Sequence, residues 1–400
     1  MRFHKFKLMV SPRNMLFCGG PSFRIGSLLF KRCASTVNKW FDKGHVYYVH
    51  TARTGIRQVC ELMGLGTGAE VLAPAYNCGS EIDVLCKSGA SVVLYDVDRL
   101  CMADIDDLRK RITVKTKAVY VIHYFGFPQR LSEIETICDQ YGLYLIEDCA
   151  LSLFGCDGDV RLGTIGDAAV FNFPKMLPVP GGGTLVINNP DLCAGNWILE
   201  QPGFLGTFRN MLPLIKRYIL RFIEGGTLFK WIWRLFKKRA PYLYGAQKDH
   251  FEGRPEMPWH YYYNGQLTNR AMSGVTRRIL NSCDIGNIIN RRRDNFACYL
   301  KLLSDISQVQ PMFNGLPQGV CPLCFPVVVS NRGQVCRRLK DRSIAAFEWW
   351  AGYHRGFLWD QYPNACFLKD HVLTLPVHQQ LSERHIEYIV HELREALANV

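Results

Sequence analysis

No stretch of about 18 consecutive uncharged apolar residues occurs in this chain of 400 residues, so no helix is expected to span a bilayer. No second pair of Cys or His accompanies Cys321 and Cys324, so their C-x-x-C spacing reads as two buried strand residues and not as half a zinc site. The run Gly181-Gly182-Gly183 lacks the Gly-Lys-Ser/Thr ending of a P-loop and stands before a strand, which leaves it as a backbone turn. Internal repeats are absent. Acidic residues are missing from two regions. Residues 1–40 hold eight Lys or Arg and no acid, and residues 208–239 hold nine against Glu224 alone. Each region contributes +8 to the net charge of +13, so the rest of the chain carries −3. Neither region has paired Cys/His ligands or an aromatic RNA-binding strand, and nucleic acid is not an expected partner.

What is present points to a folded protein with a core. At 48% apolar and 12% aromatic residues, 400 residues exceed one ordinary core, and two domains are expected. The 16 cysteines are scattered through apolar segments of a chain too long to need a disulfide framework, which fits a reducing cytoplasm. The basic start MRFHKFKLMVSPRNMLF has its apolar runs broken by Lys, Pro and Arg before they reach the length of a signal-peptide core. Secretion is therefore not expected, although the composition also resembles a transit peptide. In 208–239, Phe229, Trp231, Trp233 and Phe236 are interleaved with Lys and Arg. That mixture suits a helix in the interface of an anionic membrane, at its inner face, and equally a packed excursion over the active site. Pro213 and Gly225-Gly226 would divide it either way.

From about Val46, short apolar runs alternate with helical stretches, the pattern of an α/β fold with a mainly parallel sheet. Strands are expected at Glu70–Ala73, Ser91–Tyr95, Ala118–His123, Leu143–Glu147, Ala168–Phe171 and Gly183–Ile187, with helices at Thr54–Met63, Gly79–Lys87 and Leu131–Tyr141. Residues 196–262 interrupt the rhythm. Beyond them, Ser273–Leu303 reads as one long helix, VCPLCFPVVV and VLTLPVH as strands, and Ser382–Leu397 as a closing helix whose capping box ends on His385 in place of Glu. The expected plan is a basic extension (1–45), a large domain (46–270) with an insertion at about 196–262, and a smaller C-terminal α/β domain (271–400).

Three stretches carry the chemistry: VHTARTGIRQ (49–58), IEDCALSLFG (146–155) and GDAAVFNFPKMLPVPGGGTLV (166–186). In the second, an acidic pair ends a buried apolar strand, a costly place for a carboxylate unless a cation meets it. In the third, a lone lysine lies between a strand and a Gly-rich turn. A partly desolvated lysine there has a lowered pKa and can form a Schiff base. In parallel sheets ligands bind beyond the carboxyl ends of the strands, where these residues fall.

With GAEVLAPAY (68–76), TKAVYVIHYFGFP (116–128) and LPVHQQLS (375–382), these stretches follow in the order found in the DegT-type sugar aminotransferases. The chain resembles that family over about three quarters of its length. The resemblance implies the fold type I architecture of pyridoxal-phosphate enzymes, with a large cofactor domain and a smaller C-terminal domain. It implies amino transfer from a donor such as glutamate to a keto-sugar attached to a nucleotide, in a homodimer. Lys175 falls on the lysine that holds pyridoxal 5'-phosphate, and Asp148 on the carboxylate that pairs with its pyridine nitrogen. Tyr76 falls on an aromatic stacked on the ring, Asn172 on a phosphate ligand that is usually Ser, and Ala52, Arg53 and Thr54 on the turn whose amides hold the phosphate. Asn269 and Arg270, in LTNRAMS (267–273), fall on a segment that completes a neighbouring subunit's site. Two departures stand out. Leu151 replaces a Gln or His that contacts the phenolic oxygen, and Ala52-Arg53 replaces Gly-Thr. They keep open a membrane-associated, cofactor-binding partner protein without turnover, and the basic insertion keeps open a keto substrate that is not a sugar, such as a lipid-linked intermediate presented at the membrane. In the related dehydratases the lysine is His, and Lys175 argues against that branch.

Overall fold

The computed structural model describes residues 16–23, 37–192, 197–224, 232, 250–251, 253–263, 265 and 269–398. Seven strands form the main sheet: β1 (His45–Val49), β2 (Glu70–Pro74), β3 (Ser91–Tyr95), β4 (Thr116–Ile122), β5 (Tyr144–Asp148), β6 (Ala168–Asn172) and β7 (Gly183–Ile187). Their order is β1-β7-β6-β5-β4-β2-β3. Strands β2 to β6 pair in parallel, while β7 runs antiparallel to both β6 and β1. Val, Ile, Leu and Ala fill both faces of the central strands, as burial under helices on each side requires. Those helices are α1 (Ala52–Leu62), α2 (Ser80–Lys87), α3 (Ile105–Lys110) and α4 (Leu131–Tyr141). Helix α1 lies so close to the sheet that a Cβ on Gly55 would stand 3.2 Å from Val170.

Beyond the main sheet come α5 (Phe204–Phe222), α6 (Gly274–Leu280) and α7 (Ile285–Leu303). The expected single helix over Ser273–Leu303 is thus two. The chain turns at Asn281–Asp284, and the Asp284 side chain accepts the Asn287 amide to start α7 afresh. A second, antiparallel sheet has the order β8-β9-β11-β10, from β8 (Gln310–Pro311), β9 (Cys324–Val328), β10 (Phe347–Glu348) and β11 (Val372–Pro376). Helix α8 (Arg332–Asp341) packs with it, α10 (Glu383–Leu397) packs on α8 and α7, and α9 (Pro363–His371) leads into β11. The capping box of α10 forms with His385, whose Nδ1 accepts the Ser382 amide at 3.2 Å. Cys321 and Cys324 are buried without a metal-ligating pair beside them among the described residues.

Leu16–Phe23 lies against the C-terminal part: Cys18 bridges Ile344 in parallel, and the Ser22 amide donates to Gln380 Oε1 at 2.8 Å. Most of the rest of the basic N-terminal extension, residues 1–15 and 24–36, lies outside the described residues, as do residues 225–231 and 233–249 of the insertion.

The run Arg291-Arg292-Arg293 on α7 looks like a solvated face, yet each guanidinium reaches backbone carbonyls. Arg292 is fully buried. It donates to Pro322 O and Leu323 O, both at 3.0 Å, and to Met176 O at 2.9 Å, tying the turn after Lys175 to the second sheet. Arg292→Ala strands three buried carbonyls, and urea denaturation is expected to show a loss of about 3 kcal/mol or more.

Candidate active site

Strand β5 ends in Glu147-Asp148, and strand alternation sends the two side chains to opposite faces. Glu147 accepts the amides of Gly163, Ile165 and Gly166 and faces His123 Nε2 at 3.0 Å. Because His123 Nδ1 accepts the Gln129 amide, its proton sits on Nε2 and points at Glu147. Glu147 is therefore a structural acid that locks the 163–166 loop, and His123 is its packed partner.

Asp148, on the other face, is 6% exposed. Its Oδ2 accepts the Tyr120 hydroxyl at 2.7 Å and its Oδ1 the Ala150 amide at 2.8 Å. Burial pushes its pKa up, the Glu81 carboxylate pushes it further, and the Lys175 charge opposes both. Such an acid is poised for a cation.

Lys175 ends a short 3-10 turn, Phe173–Lys175, directly after β6, with Pro174 presetting the turn's φ. It is half-buried. Its charge reaches both Asp148 and Cys78. Asn172, the last residue of β6, pairs in register with Gly183, which pairs in turn with Val49. A line thus runs from Asn172 across Gly183 to the start of α1. The first amides of a helix have no acceptor within it, and here they are those of Ala52 and Arg53. His50, Arg53 and Arg270 lie around this end. Burial and then the two guanidinium charges lower the His50 pKa, the field an anion would meet.

The expected role of Thr54 needs correcting. Its amide is spent on Thr51, the N-cap of α1, and its side chain is buried against the Thr51 hydroxyl, so it contributes to the cap and its amide is not open to a phosphate. Gly183 is indispensable to the line: a Cβ there would lie 2.4 Å from Phe171 O and 3.0 Å from the Ala52 nitrogen. Gly183→Ala is expected to cost about 1–3 kcal/mol by overpacking. It should also weaken binding of a phosphate group at this helix end, read by thermal melting with and without inorganic phosphate.

Tyr76 is also displaced from its expected role. Its ring is 0% exposed, stacked on Tyr124 at 5.5 Å between centroids and tilted against Trp350 at 5.1 Å. A ring enclosed by protein has no face left for a cofactor. Two residues on, Cys78 is only partly buried and feels the Lys175 charge. Its thiol donates to Glu81 Oε2 at 2.5 Å, and burial and that carboxylate push its pKa up to about 12. Lys369, wholly buried, donates to Asn77 O at 2.6 Å and Gly352 O at 3.0 Å, and burial lowers its pKa to about 8. Cys78, Glu81 and Lys369 are ordinary residues in sequence, and only the fold brings α9 to the start of α2 and that start to the end of β5. The sole signal was an acid in the first turn of α2, which marks a helix start anywhere. Leu151 is buried, as an apolar replacement should be. Arg270 lies beside the chain's own His50, whose amide donates to Arg270 O at 2.9 Å, while Asn269 is exposed.

A parallel sheet with one antiparallel strand, and with a buried aspartate, a lysine turn and a helix N-terminus along its carboxyl edge, defines the fold type I aminotransferase class. The DegT/DnrJ/EryC1/StrS aminotransferase family profile matches residues 30–213 and 258–394, and the chain belongs to that family. It is 27% identical over 150 residues to GDP-perosamine synthase of Vibrio cholerae, covering 37% of this chain and 41% of that protein. It is 31% identical over 154 residues to dTDP-4-dehydro-2,3,6-trideoxy-D-glucose 4-aminotransferase of Saccharopolyspora spinosa, covering 38% and 40%. The matched segments thus span about two fifths of these relatives. The fold is similar to that of the aminotransferase TlmJ from Streptoalloteichus hindustanus, with TM-score 0.63, 23% identity, and coverage of 96% of this chain and 93% of that one.

Proposed function

We propose that this protein transfers an amino group from an amino-acid donor such as glutamate to a keto-sugar carried on a nucleotide, with pyridoxal phosphate as cofactor. The observation that carries the reading is the buried Asp148, short of a cation, on the same sheet edge as Lys175 and the open amides of α1. These residues fit the group from end to end. Asp148 would meet the pyridine nitrogen, Ala52, Arg53 and Asn172 the phosphate, and Lys175 the carbonyl carbon. When bound, the cofactor supplies an electron sink for negative charge on the substrate carbon. Lys175 would hold the group and, when free, would move a proton at the substrate carbon as general base and acid. Asp148, ionised, would keep the ring nitrogen protonated.

The reading includes a homodimer in which Asn269 reaches the neighbouring subunit's site, supported by its exposure, while Arg270, expected there too, lies beside the chain's own His50 and serves the chain's own anion end. It also includes a cytoplasmic location at the inner face of the membrane. Incubating the reconstituted protein with glutamate should release 2-oxoglutarate once per site, and continuously when a nucleotide-linked keto-sugar is added. Bound cofactor without any 2-oxoglutarate would instead support a binding protein without turnover.

A further inference from the structure

Helix α5 leaves one face bare. Phe204 and Phe222 are 82% exposed and Leu205 is 81% exposed, and Phe208, Leu212 and Ile219 are also exposed. At about 100° per residue these six side chains project within an arc of about 100°. Met211, Leu214 and Leu220, outside that arc, are buried and hold the helix to the protein. Arg209 and Lys216 border the bare stripe on one side. Tyr218 borders it on the other, where Tyr218, Arg221 and Phe222 line a cavity of about 510 Å³ together with Phe23 and Arg291, and no acid lines it. Arg221 itself lies about 100° of helix rotation beyond the stripe and turns inward. Arg221 donates from Nη1 to Gln380 O at 3.0 Å, while its buried Nε and Nη2 have no hydrogen-bond partner among the described residues. No Asp or Glu occurs anywhere in Phe204–Phe222. The family match breaks off inside this helix, at residue 213, and resumes at 258, so the second half of α5 lies outside the family pattern.

An apolar stripe bordered by positive charge matches the interface of a bilayer, where acyl chains lie beneath a layer of phosphates. A second copy of the chain fits poorly. A two-fold contact would set the cations of one stripe against those of the other, with no acid on the helix to relieve them. We propose that α5 is a peripheral membrane-docking helix. Its stripe from Phe204 to Phe222 enters the surface of an anionic phospholipid membrane, and Arg209, beside the stripe, and Arg291, at the cavity mouth, take the lipid phosphates. The proposal is independent of the reaction assigned above.

Flotation of the full-length protein with vesicles tests it. Binding is expected to vesicles of phosphatidylcholine with phosphatidylglycerol, weaker to phosphatidylcholine alone, and reduced by salt. Phe208→Glu/Ile219→Glu alters only outward residues, so its melting temperature should match wild type while vesicle binding falls by at least about tenfold. No binding to anionic vesicles at low salt overturns the proposal, as does undiminished binding by a normally folded double variant. A double variant that dissociates an oligomer in sedimentation would show the stripe to be a contact between copies, and would overturn it equally.

Discussion

Lys175→Ala is expected to yield a folded protein that, mixed with pyridoxal phosphate, shows no covalent attachment on borohydride treatment and no visible band that glutamate bleaches. Wild type should show both. The lysine lies in a short turn whose backbone is held by other groups: Met176 N and Leu177 N donate to Phe173 O at 3.1 and 2.8 Å, and Arg292 holds Met176 O. Removing the half-buried side chain therefore leaves the turn standing. What is lost is the attachment point and the group that moves the proton. Positioned general acid–base catalysis contributes about 10²–10⁴-fold, and turnover should fall by at least that much. A mutant retaining the band, or the half-reaction, would remove Lys175 from the site and with it the reading of this edge as the catalytic one.

The second large effect is expected from Asp148→Asn, and it separates activity from stability. Losing one partner of a buried ion pair costs about 3–5 kcal/mol, and, felt where the ring nitrogen must stay protonated, that loss should lower turnover by about 10²–10⁴-fold. The cofactor-free protein should respond in the opposite sense. The folded-state pKa of Asp148 is raised above its ordinary 3.8, so the folded state binds the proton more tightly than the unfolded chain. The ionised acid therefore destabilises the fold at neutral pH, and that cost disappears as pH falls through the raised pKa toward 3.8. The substituted amide carries no charge, and its carbonyl oxygen can still accept the Tyr120 hydroxyl or the Ala150 amide. The apo variant should thus melt no lower than wild type at pH 7, with the difference vanishing in acid. An apo variant that is strongly destabilised would instead mark Asp148 as a structural acid like Glu147.

The parallel sheet was readable because its strands are short, apolar on both faces and separated by amphipathic helices, a pattern set by local sequence. The lysine turn and the acidic strand end were readable for the same reason: each is a few contiguous residues whose chemistry is unusual for its place. Asn172 ends β6 and Ala52 and Arg53 begin α1. Local pattern could not separate Glu147 from Asp148 by role, since both look like buried acids until strand alternation meets a real loop on one side.

Tyr76 and Thr54 mark the limit on the site itself. The order of motifs brings an aromatic and a hydroxyl near the cofactor, but whether a side chain faces a crevice or the core depends on its packed neighbours. For Tyr76 those are Tyr124 and Trp350, far along the chain; for Thr54 the nearby Thr51 takes the amide first. Cys78, Glu81 and Lys369 were invisible for the converse reason, being ordinary residues until the fold brings α9 to the start of α2 and that start to the end of β5. Local sequence already carried the fold class and the placement of Lys175 and Asp148 at strand ends, because periodicity and a contiguous motif are local properties. Packing alone set which neighbours act on the aspartate's charge, which amides remain open and which face of α5 stays bare, because electrostatics and burial depend on what distant segments bring within a few ångströms.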